Sequence, residues 1–374
     1  MAPDSEAELA EAIAGAKAPL WVIGGGTRLV PEGAPLSVAR LSGITLYEPG
    51  ALTMIARAGT PLGDIEAALD AEGQMLAFEP YDVSGLTGST GQSTIGGVFA
   101  TNASGPRRAQ AGAARDFLLG VRFVDGAGQI VKNGGRVMKN VTGYDLVKLM
   151  AGAHGTLGVL SEVSFKVLPK PEVAQSIAIN GLDDGTAIDA MAAALASPYD
   201  VSGAAHWSKG AAGHPVTHIR IEGFADSVAY RAERLVALLS QFGDVMATDD
   251  LAQVNARWTQ TRDAAPFTGS GRDVWRLSVR PSQAASIVAR LPSALFNQGW
   301  REVIYDWGGA RVWLQVEPGT DLRAHLGEFT GHATLIRGSG APRFPPQQPA
   351  IARISAALRA KFDPRSILNR GLMG

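Results

Sequence analysis

Three observations on the sequence predict an α+β fold in two domains. Glycine punctuates the apolar runs of residues 85–167. The order strand–helix–strand–strand–helix–strand then occurs twice between residues 172 and 340, which is typical of an antiparallel sheet with helices on one face. Pro169-Lys170-Pro171 is a rigid break between the two parts. We therefore predict a first domain at 1–171, a second at 172–340, and a segment at 341–374 that returns to the first domain.

The first domain is predicted to open with a short helix and a buried strand. The elements expected before residue 84 are helix 5–16, strand 19–23 and strand 52–58, then a helix with Leu62, Ile65 and Leu69 on one face. Thr60 as N-cap and Pro61 as the first helical residue are a typical helix start.

The glycine-rich stretch is predicted to hold two strands, at 118–124 and 160–168, with a short helix between them. The pattern Thr142-Gly143-Tyr144-Asp145 precedes an apolar run and is typical of a capped helix start. Gly152 is expected to end this helix. Thr142 and Asp145 thus have a structural explanation, which we favour over a catalytic one.

The second domain is predicted as two copies of one unit. The first copy has strand 176–180, helix 185–196, strands 202–207 and 216–222, helix 226–242 and strand 244–248. The second has strand 274–279, helix 282–291, strands 302–307 and 311–316, helix 320–328 and strand 332–336. A helical stretch at 250–263 lies between them. A last helix carries Ile351, Ile354 and Leu358 on one face.

Composition restricts the class of protein. The chain of 374 residues is 46% hydrophobic and 18% charged with a net charge of −1, which is typical of a globular protein and not of a nucleic-acid binder. No apolar run is long enough to span a bilayer. Cysteine is absent, so disulfides and cysteine-ligated iron–sulfur clusters are excluded within this chain. Redox chemistry here would need an organic cofactor.

Glycine makes up 45 of the 374 residues, well above the usual share of about 7%. A predicted strand runs directly into Gly24-Gly25-Gly26-Thr27, and successive amides in such turns can bind anions. The turn is neither a P-loop nor a Rossmann fingerprint, because neither spacing is present. An ordinary tight turn is the alternative explanation for this motif alone.

The motifs taken in order resemble a known family. They are GGGT at 24–27, STIGGVFATNASG at 93–105, RDFLLG at 115–120, KNVTGYDL at 139–146 and GTLGVLSE at 155–162. This set resembles the FAD-binding domain of the vanillyl-alcohol oxidase/PCMH flavoprotein superfamily, and KFDPRSILNRG at 361–371 is similar to its C-terminal segment. GPRR at 105–108, VMKNVTGYD at 137–145, YDWGGARVWL at 305–314 and GHATLIRG at 331–338 resemble, more narrowly, the smaller FAD-binding subunit of bacterial glycolate oxidases.

The resemblance implies a PCMH-type FAD-binding domain of two α+β subdomains, with FAD extended between them and a cap domain beside it. It assigns the cofactor to Gly24, Gly25, Gly26, Thr27, Arg28, Thr94, Gly96, Gly97, Thr101, Asn102, Ser104, Gly158 and Val159. The amides of the 24–27 turn would bind the diphosphate. Many relatives attach the flavin to a cysteine or to an early histidine. This chain has no cysteine and its first histidine is His154, so noncovalent FAD is expected unless His154 is the link.

Other candidate residues remain open between functional and structural roles. His206, His214 and His218 could form a metal site, with His214 and His218 on one side of a strand, but structural or surface histidines are the commoner case. Four further residues are candidates for contact with substrate or cofactor, namely Arg311, His332, Arg337 and Lys139. A buried, hydrogen-bonded structural role or a position on the solvated surface is an equally open explanation. Six of the seven tryptophans lie beyond residue 200, as interface or as ordinary core. No residue is assigned as catalytic base, and no metal is expected.

The resemblance implies a FAD-binding subunit of a glycolate (D-2-hydroxy acid) oxidase complex in glycolate catabolism. Its partners would be a larger FAD-containing subunit and an iron–sulfur subunit, and its substrate a small 2-hydroxy acid. The alternatives are a self-contained FAD-dependent 2-hydroxy acid dehydrogenase and a non-catalytic scaffold stabilised by FAD. The expected location is the cytoplasm, and the alternative is attachment to the inner membrane through the partner subunits.

Overall fold

The computed structural model describes residues 1–28, 33–136, 143–210, 213–296 and 301–373. The chain divides into two units. Unit 1 comprises Met1–Ser104, Gly112–Lys170 and Pro346–Gly374, and unit 2 comprises Gly105–Ala111 and Pro171–Pro345.

The helices and strands are numbered in chain order. The helices are α1 Glu6–Ala14, α2 Leu62–Ala71, α3 Ser84–Thr87, α4 Ile95–Ala100, α5 Arg108–Ala111, α6 Ala114–Phe117, α7 Leu146–Met150, α8 Asp184–Leu195, α9 Ala225–Leu239, α10 Leu251–Arg262, α11 Pro281–Arg290, α12 Arg323–Leu326 and α13 Pro349–Phe362. The strands are β1 Leu20–Ile23, β2 Ala34–Ser37, β3 Ile44–Glu48, β4 Thr53–Arg57, β5 Gln74–Met75, β6 Leu118–Val124, β7 Ile130–Gly134, β8 Val159–Lys166, β9 Leu168–Pro169, β10 Val173–Asn180, β11 Val201–Trp207, β12 Val216–Gly223, β13 Val245–Thr248, β14 Asp273–Val279, β15 Val303–Asp306, β16 Arg311–Val316 and β17 Gly331–Arg337.

Unit 1 is built on a five-stranded antiparallel sheet in the order β3-β4-β8-β6-β7. Strand β6 spans the residues predicted from its apolar pattern, and most of its residues are buried. A separate parallel pair, β1 with β2, carries the strand that leads into the GGGT turn. Leu20 of β1 also forms a parallel bridge with Leu368, which brings the C-terminal segment to this strand.

Two predicted helix starts differ from the structure. Helix α2 begins at Leu62, with Pro61 in the N-cap position and no side-chain cap. The Thr60 hydroxyl donates to the carbonyl of Arg57 at 2.7 Å and accepts from the amide of Gly43 at 3.0 Å, so it joins two loops and caps nothing. Helix α7 is capped by Asp145, which accepts from the amide of Lys148 at 3.0 Å. The predicted N-cap, Thr142, lies outside the described residues.

Unit 2 contains an eight-stranded sheet in the order β13-β10-β12-β11-β15-β16-β14-β17. All of its neighbouring strands are antiparallel. The order is that of two strand–helix–strand–strand–helix–strand copies joined through their second strands, β11 and β15. The predicted α+β class, with a repeated unit forming one antiparallel sheet, is confirmed.

The two faces of this sheet differ. Helices α8, α9 and α11 cover an apolar face, where Ile177, Ala204 and Leu277 share one core with them. Helix α10 packs on the opposite face, through Val254 and Trp258. The helices of the two copies thus lie on one face, as expected, and α10, which lies between the copies in the sequence, packs on the other. Side chains alternate across a strand, so residues next in sequence to this core point towards the α10 face.

The α10 face carries buried charged pairs. Arg220 lies with its guanidinium carbon 4.6 Å from the centre of the Trp258 ring, and its Nε is 3.1 Å from a carboxylate oxygen of Glu222. Arg107 pairs with the same carboxylate at 2.5 Å. Buried charges of this kind need partners, since an unpaired charge in an apolar interior is strongly unfavourable.

The segment Gly105–Ala111 belongs to unit 2, although the sequence places it in the first domain. The Trp307 indole donates to the carbonyl of Gly105 at 2.8 Å, and Arg108 lies over the Trp307 ring at 4.8 Å. These contacts join residues about 200 positions apart in the chain, so local sequence patterns could not predict them.

The tryptophans of unit 2 are mostly core residues. Those with a described position beyond residue 200 are Trp207, Trp258, Trp275, Trp307 and Trp313, and all except Trp307 are buried. Trp300 lies outside the described residues. The ordinary-core explanation therefore applies to the four buried rings.

Candidate cofactor-binding site

A cavity of about 80 Å³, partly open to solvent, lies within unit 1 where β1, α4 and β8 meet. Eleven of the thirteen residues proposed for the cofactor line it, namely Gly24, Gly25, Gly26, Thr27, Arg28, Thr94, Gly96, Gly97, Thr101, Gly158 and Val159. Motifs from three distant parts of the sequence thus meet around one space.

The glycine turn after β1 packs backbone to backbone against the loop before α4. A Cβ on Gly25 would lie 1.6 Å from the carbonyl oxygen of Gln92, and one on Gly91 would lie 1.7 Å from the carbonyl oxygen of Gly25. A Cβ on Gly24 would lie 2.3 Å from the hydroxyl oxygen of Thr94. Glycine is required here because the two loops approach too closely for any side chain.

The backbone of the same turn lines the cavity. The backbone amides of Gly25, Gly26 and Thr27 donate no hydrogen bond to the part of the chain that the structure describes. Gly26 has a φ of +70°, which reverses the chain and is favourable for glycine. Successive amides without an acceptor within the described ranges are suited to bind an anion such as a phosphate.

The α4 side of the cavity differs from the 24–27 turn, because the amides of Gly96 and Gly97 already donate hydrogen bonds within the chain. Gly96 donates to the carbonyl of Ala58 at 2.8 Å, and Gly97 donates to the hydroxyl of Thr94 at 3.3 Å. Thr101 donates from its hydroxyl to the carbonyl of Gly97 at 2.8 Å. These residues shape the wall, and a Cβ on Gly96 would lie 2.6 Å from the Cβ of Ala58.

Arg28 brings a positive charge to the cavity. Its side chain is buried, and one guanidinium nitrogen donates to the carbonyl of Tyr81 at 2.9 Å. The guanidinium carbon lies 5.8 Å from the centre of the Tyr81 ring. A held arginine next to the amides of the 24–27 turn makes this end of the cavity favourable for an anion.

Asn102 and Ser104 do not line the cavity. The Asn102 side-chain oxygen accepts from the amide of Arg115 at 2.8 Å, and the Ser104 hydroxyl accepts from the amide of Ala114 at 2.9 Å. Both side chains therefore hold the start of α6. The sequence pattern could not separate them from the neighbouring wall residues, since all belong to one motif.

The strand side of the cavity includes two residues that the cofactor assignment left out, Gly155 and His154. His154 has a φ of +52°, and its amide donates to the carbonyl of Ala100 at 2.9 Å. Asn369 joins this loop to β1, because its side chain donates to the carbonyl of His154 at 2.7 Å and accepts from the amide of Val22 at 2.6 Å. The tail motif was noted in the sequence, but its contact with the cavity wall was not predicted.

The candidate histidine cluster does not form. The register pairs His206 with Thr217 and His218 with Ala205, so the two rings point to opposite faces of the sheet. His214 is exposed in the turn before β12 and not on the strand. No group of three or more possible metal-ligating side chains is present among the described residues.

Both buried histidines have structural partners. His206 Nδ1 lies 2.9 Å from the Thr217 hydroxyl, and His218 Nε2 is in contact with the Arg257 guanidinium. Burial and the Arg257 charge lower the pKa of His218 well below its usual value. His218 is therefore neutral at pH 7 and able to accept a hydrogen bond from Arg257.

The remaining candidates for substrate contact are also engaged or exposed. Arg337 donates to the carbonyls of Arg272 at 2.8 Å and Phe267 at 3.2 Å. Arg311 pairs with Asp306 in the interior of unit 2. His332 is exposed on β17, and Lys139 lies outside the described residues. None of these observations identifies a catalytic base.

Comparison with known proteins identifies an FAD-binding domain in the part of the chain that forms most of the cavity. The model of an FAD-binding domain family matches residues 1–134. Glycolate oxidase subunit GlcE of Escherichia coli (strain K12) is 35% identical over 344 residues, covering 91% of this chain and 87% of that protein. D-lactate dehydrogenase of Anaerostipes hadrus is 34% identical over 155 residues, covering 41% of this chain and 31% of that protein.

Solved structures show the same fold. 4-Ethylphenol oxidase from Gulosibacter chungangensis superposes with a TM-score of 0.75 at 13% identity, covering 100% of this chain and 88% of that one. Alkyldihydroxyacetonephosphate synthase gives a TM-score of 0.74 at 15% identity, covering 99% and 75%.

The fold, the cavity and the sequence relatives define a FAD-dependent oxidoreductase with a PCMH-type FAD-binding domain. More narrowly, the chain belongs to the family of the glycolate oxidase subunit GlcE. The family resemblance recognised in the sequence is confirmed. No helix in the described ranges is both long enough and apolar enough to cross a membrane.

Proposed function

We propose that the cavity of unit 1 binds FAD noncovalently, with its diphosphate on the amides of Gly25, Gly26 and Thr27. The observation that supports this proposal is that these amides donate to no acceptor among the described residues, in a turn that lines the cavity. Arg28 lies beside them as a fixed positive charge. Hydrogen bonds to a charged group contribute about 1.5–3 kcal/mol each, so three or four would hold the cofactor without a covalent bond.

The walls of the cavity suit the rest of such a cofactor. Ile23, Met150 and Leu160 supply apolar surface, and Gly158 allows close approach to the wall. A Cβ on Gly158 would lie 2.6 Å from the Phe123 ring, so the β8 start packs without a side chain at this position. Bound FAD supplies a two-electron acceptor for the oxidation of an alcohol to a ketone or aldehyde. The chain's residues position it and keep water from its buried part.

Noncovalent attachment is expected because cysteine is absent and His154 is the sole histidine of unit 1 by sequence. Acid precipitation should release all flavin into the supernatant, and the denatured chain should have the mass of the polypeptide alone. Added mass equal to one FAD would contradict this proposal. Loss of that mass in His154→Ala would then identify His154 as the attachment site.

We infer further that the chain is a flavoprotein subunit of a complex that oxidises a small 2-hydroxy acid such as glycolate. Similarity to GlcE over 87% of that protein supports this inference. Its partners would be a larger FAD-containing subunit, similar to glycolate oxidase subunit GlcD of Bacillus subtilis (strain 168), and an iron–sulfur subunit. The complex would act in the cytoplasm or at the inner membrane. A second candidate function is a self-contained dehydrogenase, and similarity to a D-lactate dehydrogenase over 41% of the chain is the observation in its support.

One absorption experiment separates these functions. The purified chain is loaded with an FAD analogue whose absorption band differs from that of FAD, so that its flavin can be distinguished from that of the larger subunit. Its spectrum is then recorded in the absence of oxygen, before and after addition of glycolate or D-lactate. We expect no bleaching of the chain alone, and bleaching once the partner subunits are added. Bleaching of the chain alone would make it a self-contained enzyme. A band that never changes while the assembled complex turns over would make it a scaffold.

A further inference from the structure

Asn369 is a buried polar side chain of the C-terminal segment, and it connects two walls of the cavity in unit 1. One wall contains Val22 and Gly24, at the end of β1, and the other contains His154 and Gly155. Asn369 itself is 1% exposed and is not among the residues that line the cavity. Its side chain is thus placed to fix the two walls relative to each other without touching what the cavity holds.

The hydrogen-bonding groups of this side chain are all engaged. Its oxygen accepts from the amide of Val22 at 2.6 Å, and its nitrogen donates to the carbonyls of His154 at 2.7 Å and Val22 at 3.5 Å. Bonding to both backbone groups of Val22, the side chain takes the place that a neighbouring strand would have. It extends the parallel bridge between Leu20 and Leu368, so the free edge of β1 is held to within two residues of the glycine turn.

The backbone on both sides of these bonds adopts an uncommon conformation. His154 has a φ of +52° and Asn369 a φ of +44°, a region that residues with a side chain occupy where surrounding contacts impose it. Gly155 leaves room for the amide, because a Cβ there would lie 3.0 Å from the Asn369 side-chain nitrogen. The loop and the C-terminal segment are therefore shaped to fit each other at the cavity wall.

We propose that Asn369 is a positioning residue for the cofactor, whose hydrogen bonds hold the His154 loop and the glycine turn at the separation at which both contact FAD. The proposal rests on the proposed function, in which this cavity binds FAD. It adds a residue of the C-terminal segment that acts through the cavity walls. Without these bonds, part of the binding free energy would be spent on ordering the two walls, and the affinity would fall.

The Asn369→Gly variant tests the proposal, because it removes the side-chain bonds and glycine readily adopts the positive φ of this position. The dissociation constant for FAD is measured on the flavin-free full chain by the quenching of flavin fluorescence. We expect FAD to bind about tenfold more weakly than to wild type, or weaker still, which is the effect of about one net hydrogen bond.

Arg365→Ala is the matched control on the same segment. The Arg365 guanidinium donates to the carbonyls of Ile13 at 2.6 Å, Ala14 at 2.9 Å and Gly126 at 2.8 Å, three residues outside the cavity wall. This variant should destabilise the packing of the C-terminal segment at least as much as Asn369→Gly does, as measured by urea denaturation of the flavin-free chain. Its affinity for FAD should stay within about threefold of wild type, since effects at separate sites are largely independent.

The Asn369→Asp variant tests the hydrogen bonds themselves. An ionised carboxylate accepts from Val22 but cannot donate to His154, whereas a protonated carboxyl group does both. Burial raises the pKa of a carboxyl group, so this one should be protonated at about pH 5 and ionised at about pH 8. Relative to wild type at the same pH, which also carries His154, FAD affinity should be restored at the lower pH and weak at the higher. Asn369→Gly should be weak at both.

The outcomes separate the positioning role from the cofactor site. Wild-type affinity in Asn369→Gly would overturn the positioning role and leave the cofactor site intact. Equal weakening in Arg365→Ala, or an Asn369→Asp variant that is not restored at the lower pH, would reduce Asn369 to a residue that only stabilises the fold. A wild-type chain that binds no FAD would overturn the positioning role and the proposed function together.

Discussion

The Gly25→Ala variant is expected to purify with less than about a tenth of the wild-type flavin. The added Cβ would lie 1.6 Å from the carbonyl oxygen of Gln92, and this neighbour is backbone, which cannot rotate away. Overpacking of this kind typically costs about 1–3 kcal/mol and is relieved by backbone shifts. A shift of the 24–27 turn would move the amides proposed to bind the diphosphate. The ratio of flavin absorbance to protein absorbance measures the effect.

Gly63→Ala is the matched control for this substitution. Gly63 lies in α2, and a Cβ there would meet no atom within 4 Å. Alanine in a helix is favoured over glycine by about 0.5–1 kcal/mol, so this variant should keep its full flavin and gain slightly in stability. Full flavin content and wild-type FAD affinity in Gly25→Ala would show that the turn is not the diphosphate site.

The Asp306→Ala variant is expected to lose about 3–5 kcal/mol of the free energy of unfolding of unit 2. Asp306 and Arg311 form an ion pair in which both side chains are buried, at 0% and 1% exposure. Arg311 also lies between two rings, 4.3 Å from the centre of Trp307 and 5.5 Å from that of Trp313. Removing the carboxylate takes away the buried counter-charge of this guanidinium.

Tryptophan fluorescence during denaturation with urea isolates this effect. Six of the seven tryptophans lie in unit 2, and Trp21 is the exception. The control is Asp4→Ala, which removes an ion pair with Arg40 whose side chains are 51% and 60% exposed. Exposed pairs are worth about 0–1 kcal/mol, so this variant should unfold as wild type does. An equal midpoint for Asp306→Ala would contradict the structural role of the pair.

Local pattern predicted most elements of this fold. Strand β6 begins and ends where its apolar residues do, and the repeated order after residue 172 gave one antiparallel sheet. These elements follow from periodicity, which depends on neighbouring residues. The predicted cap at Thr60 was wrong because its hydroxyl binds the 43 loop, a contact set by tertiary structure.

The sequence predicted the glycines that line the cavity. It did not predict the side chains that hold the cavity wall in place, such as Asn369. Gly24–Thr27 could be found because close backbone approach requires a recognisable residue type. Asn369 could not, because its bonds to Val22 and His154 join positions 347 and 215 residues apart. The face to which each histidine points also depends on strand register, which the sequence of a single strand does not determine.

The central claim is that the glycine turn after β1 binds the diphosphate of FAD. A crystal structure of the chain loaded with FAD tests it directly. We expect phosphate oxygens within about 3 Å of the amide nitrogens of Gly25, Gly26 and Thr27. A diphosphate bound elsewhere, with these three amides facing water, would contradict the account.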